Sequence, residues 1–328
     1  MADQPAPVWM LSSSPHAHAG SSVRGLMLDV LIALVPAFAV GVAVFGFDAV
    51  RLVAVCVASC LVSEVAVRTV MGRNIGIDDC SAIVTGVLLA FNLPPHLPAW
   101  MAAIGSFFAI VIVKQLFGGI GYNIFNPALA ARVFLLVSFP VAMTTWALPD
   151  AVTTATPLGA WKTAWSAGAA PANFDSIYPL RDLFLGNQLG CIGETSELAL
   201  LLGGLYLLAR RVIYWEIPVF YIASTAVFAA ILHAIDPARN MSMLYHLATG
   251  GLFLGAFFMA TDLVTTPITR RGHIVFGIGC GLLTVIIRRW GGYPEGVSFA
   301  ILIMNAFSPL IDKLTQPRAF GHLKQKPV

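Results

Sequence analysis

Charge is scarce in this sequence. Only 11% of its 328 residues are Asp, Glu, Lys or Arg, and 58% are hydrophobic; a soluble domain carries about 25% charged residues. No soluble core of this chain length hides so much apolar surface. The shortage excludes a cytosolic enzyme, a nucleic-acid-binding module and a disordered scaffold. A net charge of +3 is too small to imply a polyanionic partner. Spaced cysteines are lacking too: Cys56, Cys60, Cys80, Cys191 and Cys280 form no C-x-x-C and no zinc spacing. Cys56 and Cys60 share a helix face and read as small packing residues; a shared metal or cluster would need ligands from elsewhere. The first twenty residues have no basic start followed by a long apolar run, so no cleaved signal peptide is expected there.

What the sequence has in abundance is apolar runs. A membrane-crossing helix needs about 20 mostly apolar residues, and ten runs approach that template. They are Leu26–Phe45, Val50–Val67, Ser81–Leu93, Pro98–Leu116, Pro127–Trp146, Ser196–Ala209, Pro218–Ile235, Leu244–Ala260, His273–Ile287 and Val297–Leu314. The third and sixth are short, as tilted, broken or partly inserted helices are. The fold class expected is an all-α polytopic membrane protein of about ten transmembrane helices. With both termini cytoplasmic, twelve basic residues fall inside and six outside, with Arg132 inside a span; this obeys the positive-inside rule. Arg288 and Arg289 run against it.

One connection, Ala147 to Thr195, is far longer than the others, and long ordered loops are uncommon unless functional. On this topology it faces outward. It divides the chain into a segment 1–25, five spans in 26–146, the loop 147–195, five spans in 196–314 and a tail 315–328. Two odd-numbered halves insert in opposite orientations, as in inverted-repeat transporters. Thr85-Gly86 and Thr249-Gly250 each fall in the third span of a half, and Gly118-Gly119 and Gly291-Gly292 each precede the last.

Three stretches at membrane depth are too polar and too rich in Gly and Pro for plain helix: Gly118–Pro127, Thr261–Thr269 and Gly291–Gly296. Backbone that leaves a helix in a bilayer must be buried in protein or line a cavity. Asn123, Asn126, Asp262, Thr265, Thr266, Tyr293 and Glu295 supply donors and acceptors there, suited to a planar heterocycle or an ion, or simply to capping helix ends. Asp29, Glu64 and Arg132 lie inside predicted spans. Ionisable groups there default to functional hypotheses, and Asp29 and Glu64 are the candidates for an ion path, although both lie near span ends. The run Asp150-Ala151-Val152-Thr153-Thr154-Ala155-Thr156 reads as a Thr-rich turn, or as D-x-x-T-x-A-T, a pattern similar to the acceptor for enzymatic FMN attachment.

Further motifs recur along the chain in one order. They are Ser14-Pro15-His16, Gly118–Pro127, Ser138-Phe139-Pro140, the run Asp150–Leu158, Asp182–Gly186, Gly193–Ser196, Ala260–Asp262, Thr265–Pro267, Arg288–Asn305 and Pro309–Asp312. Over residues 14–321 the sequence resembles the D-subunit family of the Rnf electron-transport complex, a relative of the B-subunit of the sodium-translocating NADH:quinone reductase. That resemblance implies a bacterial inner-membrane complex moving electrons between ferredoxin and NAD, both bound by other subunits, with Na⁺ or H⁺ transport. It implies FMN joined through its phosphate to Thr156, with Asp150 and Thr153 in the acceptor motif. It also implies a flavin-bearing neighbour at the outer face and a second, noncovalent flavin such as riboflavin. Asn123, Asn126, Asp262, Thr265, Arg288, Arg289, Tyr293 and Glu295 are the further candidates for flavin contacts, the two arginines toward a flavin phosphate or a reduced, anionic flavin. Two positions depart from the family: Leu263 stands where proline is usual and Thr154 where glycine is common. The long N-terminal extension of the related quinone reductase component is missing here, so no quinone site is carried over. Composition alone also allows a cofactor-free transporter or channel of five-plus-five repeats, or a structural membrane component that has lost its flavin.

Overall fold

The computed structural model describes residues 22–73, 77–146, 156–166, 174–186, 190–237 and 239–317. Asp150 and Thr153 lie outside the described residues. Every regular element among the described residues is helical, as expected where a backbone must satisfy its own hydrogen bonds away from water.

The chain opens with α1 (Val23–Phe45), whose first turn is capped by Ser22 Oγ accepting from Gly25 N at 3.1 Å. Gly46, at φ 61°, turns it directly into α2 (Phe47–Val70), a left-handed step that suits glycine. Next come α3 (Ser81–Phe91), α4 (Ala99–Phe107) with a π-helical continuation Phe108–Gln115, α5 (Pro127–Ser138) and α6 (Pro140–Thr144). The long connection holds α7 (Pro157–Ser166), α8 (Phe174–Ile177) and α9 (Leu180–Leu185). The second half comprises α10 (Glu197–Ala209), α11 (Glu216–Ile235), α12 (Met243–Ala248), α13 (Leu252–Leu254) running into a π-helical Gly255–Met259, α14 (Arg270–Trp290) and α15 (Val297–Thr315). Five of these, α1, α2, α11, α14 and α15, are long and apolar enough to cross a membrane. Two expected spans are broken. The run Pro127–Trp146 stops at Ser138, because Phe139 precedes a proline and is held out of the helical region at φ −132°, ψ 61°. The run Leu244–Ala260 breaks at Gly250-Gly251, where Gly250 takes φ 70°.

The second break leaves carbonyls at the end of α12 without helical partners, and Arg288 takes them. Its Nη1 donates to His246 O at 2.6 Å and its Nη2 to Thr249 O at 2.9 Å, closing orphan acceptors of the kind every helix end exposes.

The long connection is two things. Its helices α7 to α9 gather around a small core in which Phe174 meets Trp161 and Tyr245 edge-on at 5.1 and 5.0 Å. Its last residues leave that layer and enter the main core: Ile192 is buried and Thr195 fully so. A Cβ on Gly193 would sit 2.5 Å from Leu254 Cδ2 and 2.9 Å from the Phe91 carbonyl. Residues 190–195, expected as outer loop, therefore wedge between the ends of two half-length helical segments.

Candidate functional site

Helix α7 sorts its side chains onto two faces. Thr156, Gly159 and Thr163 border a cavity of about 240 Å³, whose other walls include Arg132, Trp146, Tyr293 and Glu295. Thr156 is buried, and its Oγ accepts from Gly159 N at 3.2 Å at the start of α7. The floor is ionic. Arg132 Nη1 donates to Asn92 Oδ1 and Ser298 Oγ, each at 3.0 Å, and its Nη2 pairs with Glu295 and, at 3.8 Å, with Glu194. Cys191 Sγ lies 3.8 Å from the same nitrogen. The ligand atoms of Cys191, Glu194 and Glu295 lie within 4.8 Å of one another, a spacing that suits a cation. Here the guanidinium supplies that positive charge. One turn along, Glu197 is fully buried and neither of its carboxylate oxygens has a hydrogen-bond partner among the described residues.

A second cavity, of about 370 Å³, has mostly apolar walls with Ser81, Thr85, Lys114, Asn123, Asn126 and Asp262 among them. Asn126 caps α5, its Oδ1 accepting from Ala128 N and Leu129 N at 3.1 and 3.3 Å, with Pro127 in the first helical position. Asn123 Nδ2 donates to Phe125 O at 3.1 Å. Asp262 accepts from Val264 N and from Thr265 Oγ1, both at 3.3 Å. Behind this wall Glu64 is buried in an ionic knot with Lys114, Gln115 and Arg68. Asp29 stands apart, bonded to Tyr206 at 2.8 Å and Arg210 at 3.4 Å.

The two cavities lie toward opposite ends of α5: Asn126 to Ala128 border the larger, Arg132 and Leu136 the smaller. Ala128 and Arg132 are about 6 Å apart along the axis at 1.5 Å per residue. Between the cavities Asn92, just past α3, accepts from Arg132 and donates to Leu88 O at 2.6 Å.

The structure thus brings Thr156, Tyr293 and Glu295 together, and separately Asn123, Asn126 and Asp262. Arg288 and Arg289 border neither cavity; they lie against the other face of α7, with Trp161, Lys162 and Trp165. Lys162 Nζ donates to the carbonyls of Gly291, Tyr293 (2.8 Å) and Arg288 (3.4 Å), pinning α7 to the end of α14. Burial pushes that ammonium below the ordinary lysine value. Sequence reasoning missed Asn92, Lys114, Cys191, Glu194 and Glu197, and marked Arg132 only as an ionisable group inside a span. One signal was present: an arginine inside an apolar run requires buried acceptors from somewhere.

These features define a class: a multi-pass membrane protein, helical throughout its described residues, with two interior cavities that each carry buried ionisable or polar groups in their walls. The family model described as "NQR2, RnfD, RnfE family" matches residues 10–321, and the chain belongs to that family. It is 50% identical over 319 residues to the D-subunit of the Na(+)-translocating ferredoxin:NAD(+) oxidoreductase complex of Acetobacterium woodii, covering 96% of each chain. It is 46% identical to the D-subunit of the ion-translocating oxidoreductase complex of Stutzerimonas stutzeri, over 92% of this chain and 93% of the relative. It is also 46% identical to the D-subunit of the proton-translocating ferredoxin:NAD(+) oxidoreductase complex of Clostridium ljungdahlii, over 96% of each.

Proposed function

We propose that the chain is the D-subunit of an ion-translocating ferredoxin:NAD oxidoreductase complex of the bacterial inner membrane, carrying FMN as a phosphoester on Thr156. The observation that carries the reading is the position of Thr156, a buried hydroxyl at the start of α7 that borders a cavity with an arginine in its floor. The residues fit the group. A phosphate on Thr156 would stand at a helix N-terminus, where backbone N–H groups and the helix dipole favour an anion. Trp146 and Tyr293 offer aromatic walls and Arg132 a positive charge. When bound, FMN supplies the redox chemistry, while the protein supplies position and electrostatics. Arg132, held by Glu295, Glu194 and Asn92, would place a fixed guanidinium beside the bound group. Covalent attachment removes loss by dissociation.

The second flavin, riboflavin or FMN, belongs in the 370 Å³ cavity, which falls in the usual range for small-molecule sites of about 300–1,000 Å³. Asn123, Asn126 and Asp262 supply its polar contacts, with Thr265 supporting Asp262. The axial step of about 6 Å between cavity walls along α5 supports an electron relay between the two. Asp29 and Glu64 are assigned to the ion path. The relatives named above differ in their ion, sodium in one and the proton in another. The pairing of elements supports the ten-span, inverted-repeat architecture: α2 packs on α3 and α4 as α11 packs on α12 and α14, and α1 meets α10 as α5 meets α15. In that topology both termini are cytoplasmic and Thr156 faces a flavin-bearing partner outside, while ferredoxin and NAD react at other subunits.

The test is ultraviolet fluorescence of the denatured polypeptide in a gel, with a mass increment of one FMN on the Thr156 peptide. A dark band from cells containing the flavin transferase overturns the reading and favours a cofactor-free transporter. Fluorescence retained in Thr156→Ala moves the attachment site.

A further inference from the structure

On the face of α7 opposite Thr156 lies a third cavity. It holds only about 30 Å³, enough for one or two water-sized bodies, since a single water needs about 10–15 Å³. Its polar lining among the described residues is basic or neutral: Lys162, Arg239, Asn240, His246, Arg288 and Arg289, with no carboxylate. Arg288 and His246 are more than nine-tenths buried, at 6% and 8% exposure. Arg288 Nε, Arg289 Nη1 and His246 Nδ1 are each buried without a hydrogen-bond partner among the described residues. Both Nη groups of Arg288 are committed to carbonyls. Arg288 caps the end of α12, while Arg289 Nε donates to Asn240 Oδ1 at 2.6 Å and its plane covers Trp165 at 4.2 Å. Glu194 and Glu197 act on Arg288, and Asp236 on Arg289, only at longer range; neither arginine forms an ion pair among the described residues.

Two adjacent guanidinium groups and an ammonium are thus compensated at contact only by carbonyl, amide and aromatic dipoles. Of the three, Arg288 is the buried one, and a buried charge with an orphan donor is costly unless something pairs with it. Water would satisfy the N–H groups but leave the charge. We propose that this cavity binds one small monovalent anion of chloride size, paired with the basic side chains of Arg288, Arg289 and Lys162 that line it. A volume of about 30 Å³ suits a monatomic ion better than the bulkier sulfate or phosphate. The anion would neutralise the cluster where α7, α12 and α14 meet and so fix the Thr156-bearing helix on the bundle. The proposal stands whether or not Thr156 carries a flavin.

The test uses the purified complex in detergent. Sodium gluconate is replaced stepwise by sodium chloride, bromide or sulfate at constant sodium and ionic strength, while hydrogen exchange is followed in peptides covering residues 156–166 and 240–250. Chloride and bromide are expected to slow exchange saturably in both peptides and sulfate to leave it unchanged. Arg289→Gln should abolish the response. If that variant fails to assemble, Arg239→Gln, whose side chain is 73% exposed, should raise the half-saturating chloride concentration severalfold. No halide response in the wild type means that water or a partner's carboxylate occupies the site and overturns the proposal. A response to sulfate equal to that to chloride, or a response undiminished in the variant that is tested, does so too.

Discussion

Breaking the ionic knot at Glu64 from its two sides should have unequal consequences. The carboxylate is 1% exposed and Lys114 3%. Lys114 Nζ lies 3.1 Å from both Glu64 oxygens and 2.6 Å from Ser81 Oγ. Glu64 also accepts from Gln115 Nε2 and Arg68 Nη2, each at 2.8 Å. Glu64→Gln removes the only carboxylate that reaches Lys114 among the described residues and strands a buried ammonium, which costs about 3–5 kcal/mol. Lys114→Met leaves the carboxylate with Arg68 and Gln115, so its cost should be nearer 1–3 kcal/mol, the range for hydrogen bonds to charged groups and the desolvation of what they leave. The double variant buries neither charge, and its loss should fall short of the sum by about 2 kcal/mol or more. Unfolding of the purified chain in mixed detergent–SDS micelles, followed by tryptophan fluorescence, measures all three. Additivity within about 0.5 kcal/mol, the behaviour of independent sites, would refute the reasoning, as would a larger cost for Lys114→Met than for Glu64→Gln.

Three further outcomes follow from the same contacts. Glu197→Gln should leave stability unchanged or raise it by about 1–2 kcal/mol, because a fully buried carboxylate with two unpaired oxygens gives way to a neutral group; a loss like that of Glu64→Gln in the same micelle titration would show that the charge is compensated. Gly193→Ala should cost about 1–3 kcal/mol by overpacking, since Leu254 can rotate away but the Phe91 carbonyl cannot; a silent substitution there would mean that residues 190–195 are not wedged in the core. Lys162→Met removes the ammonium from the Gly291 and Tyr293 carbonyls. It should cost about 1 kcal/mol and speed hydrogen exchange across residues 156–166, without change in residues 47–70.

The sequence carried the membrane class, the helical fold and the positions of most helices, because an apolar run and a self-satisfied helical backbone are properties of neighbouring residues. The run Asp150–Thr156 stood out for the same reason, as a short pattern in a long connection, and the ordered motifs carried the family. Tertiary structure decided everything that joins distant residues. Arg132 meets Cys191, Glu194 and Glu295 from 59 to 163 positions away, and Glu64 meets Lys114 across 50. No local periodicity encodes such pairings. Arg288 is a case in point: read along the chain it is a misplaced positive charge, yet in space it caps a helix that breaks 39 residues earlier. The faces of α7 were decided in the same way. A helix presents every side chain somewhere, and only the bundle beneath it determines that Thr156 turns toward Arg132 while Lys162 and Trp165 turn toward Arg288 and Arg289.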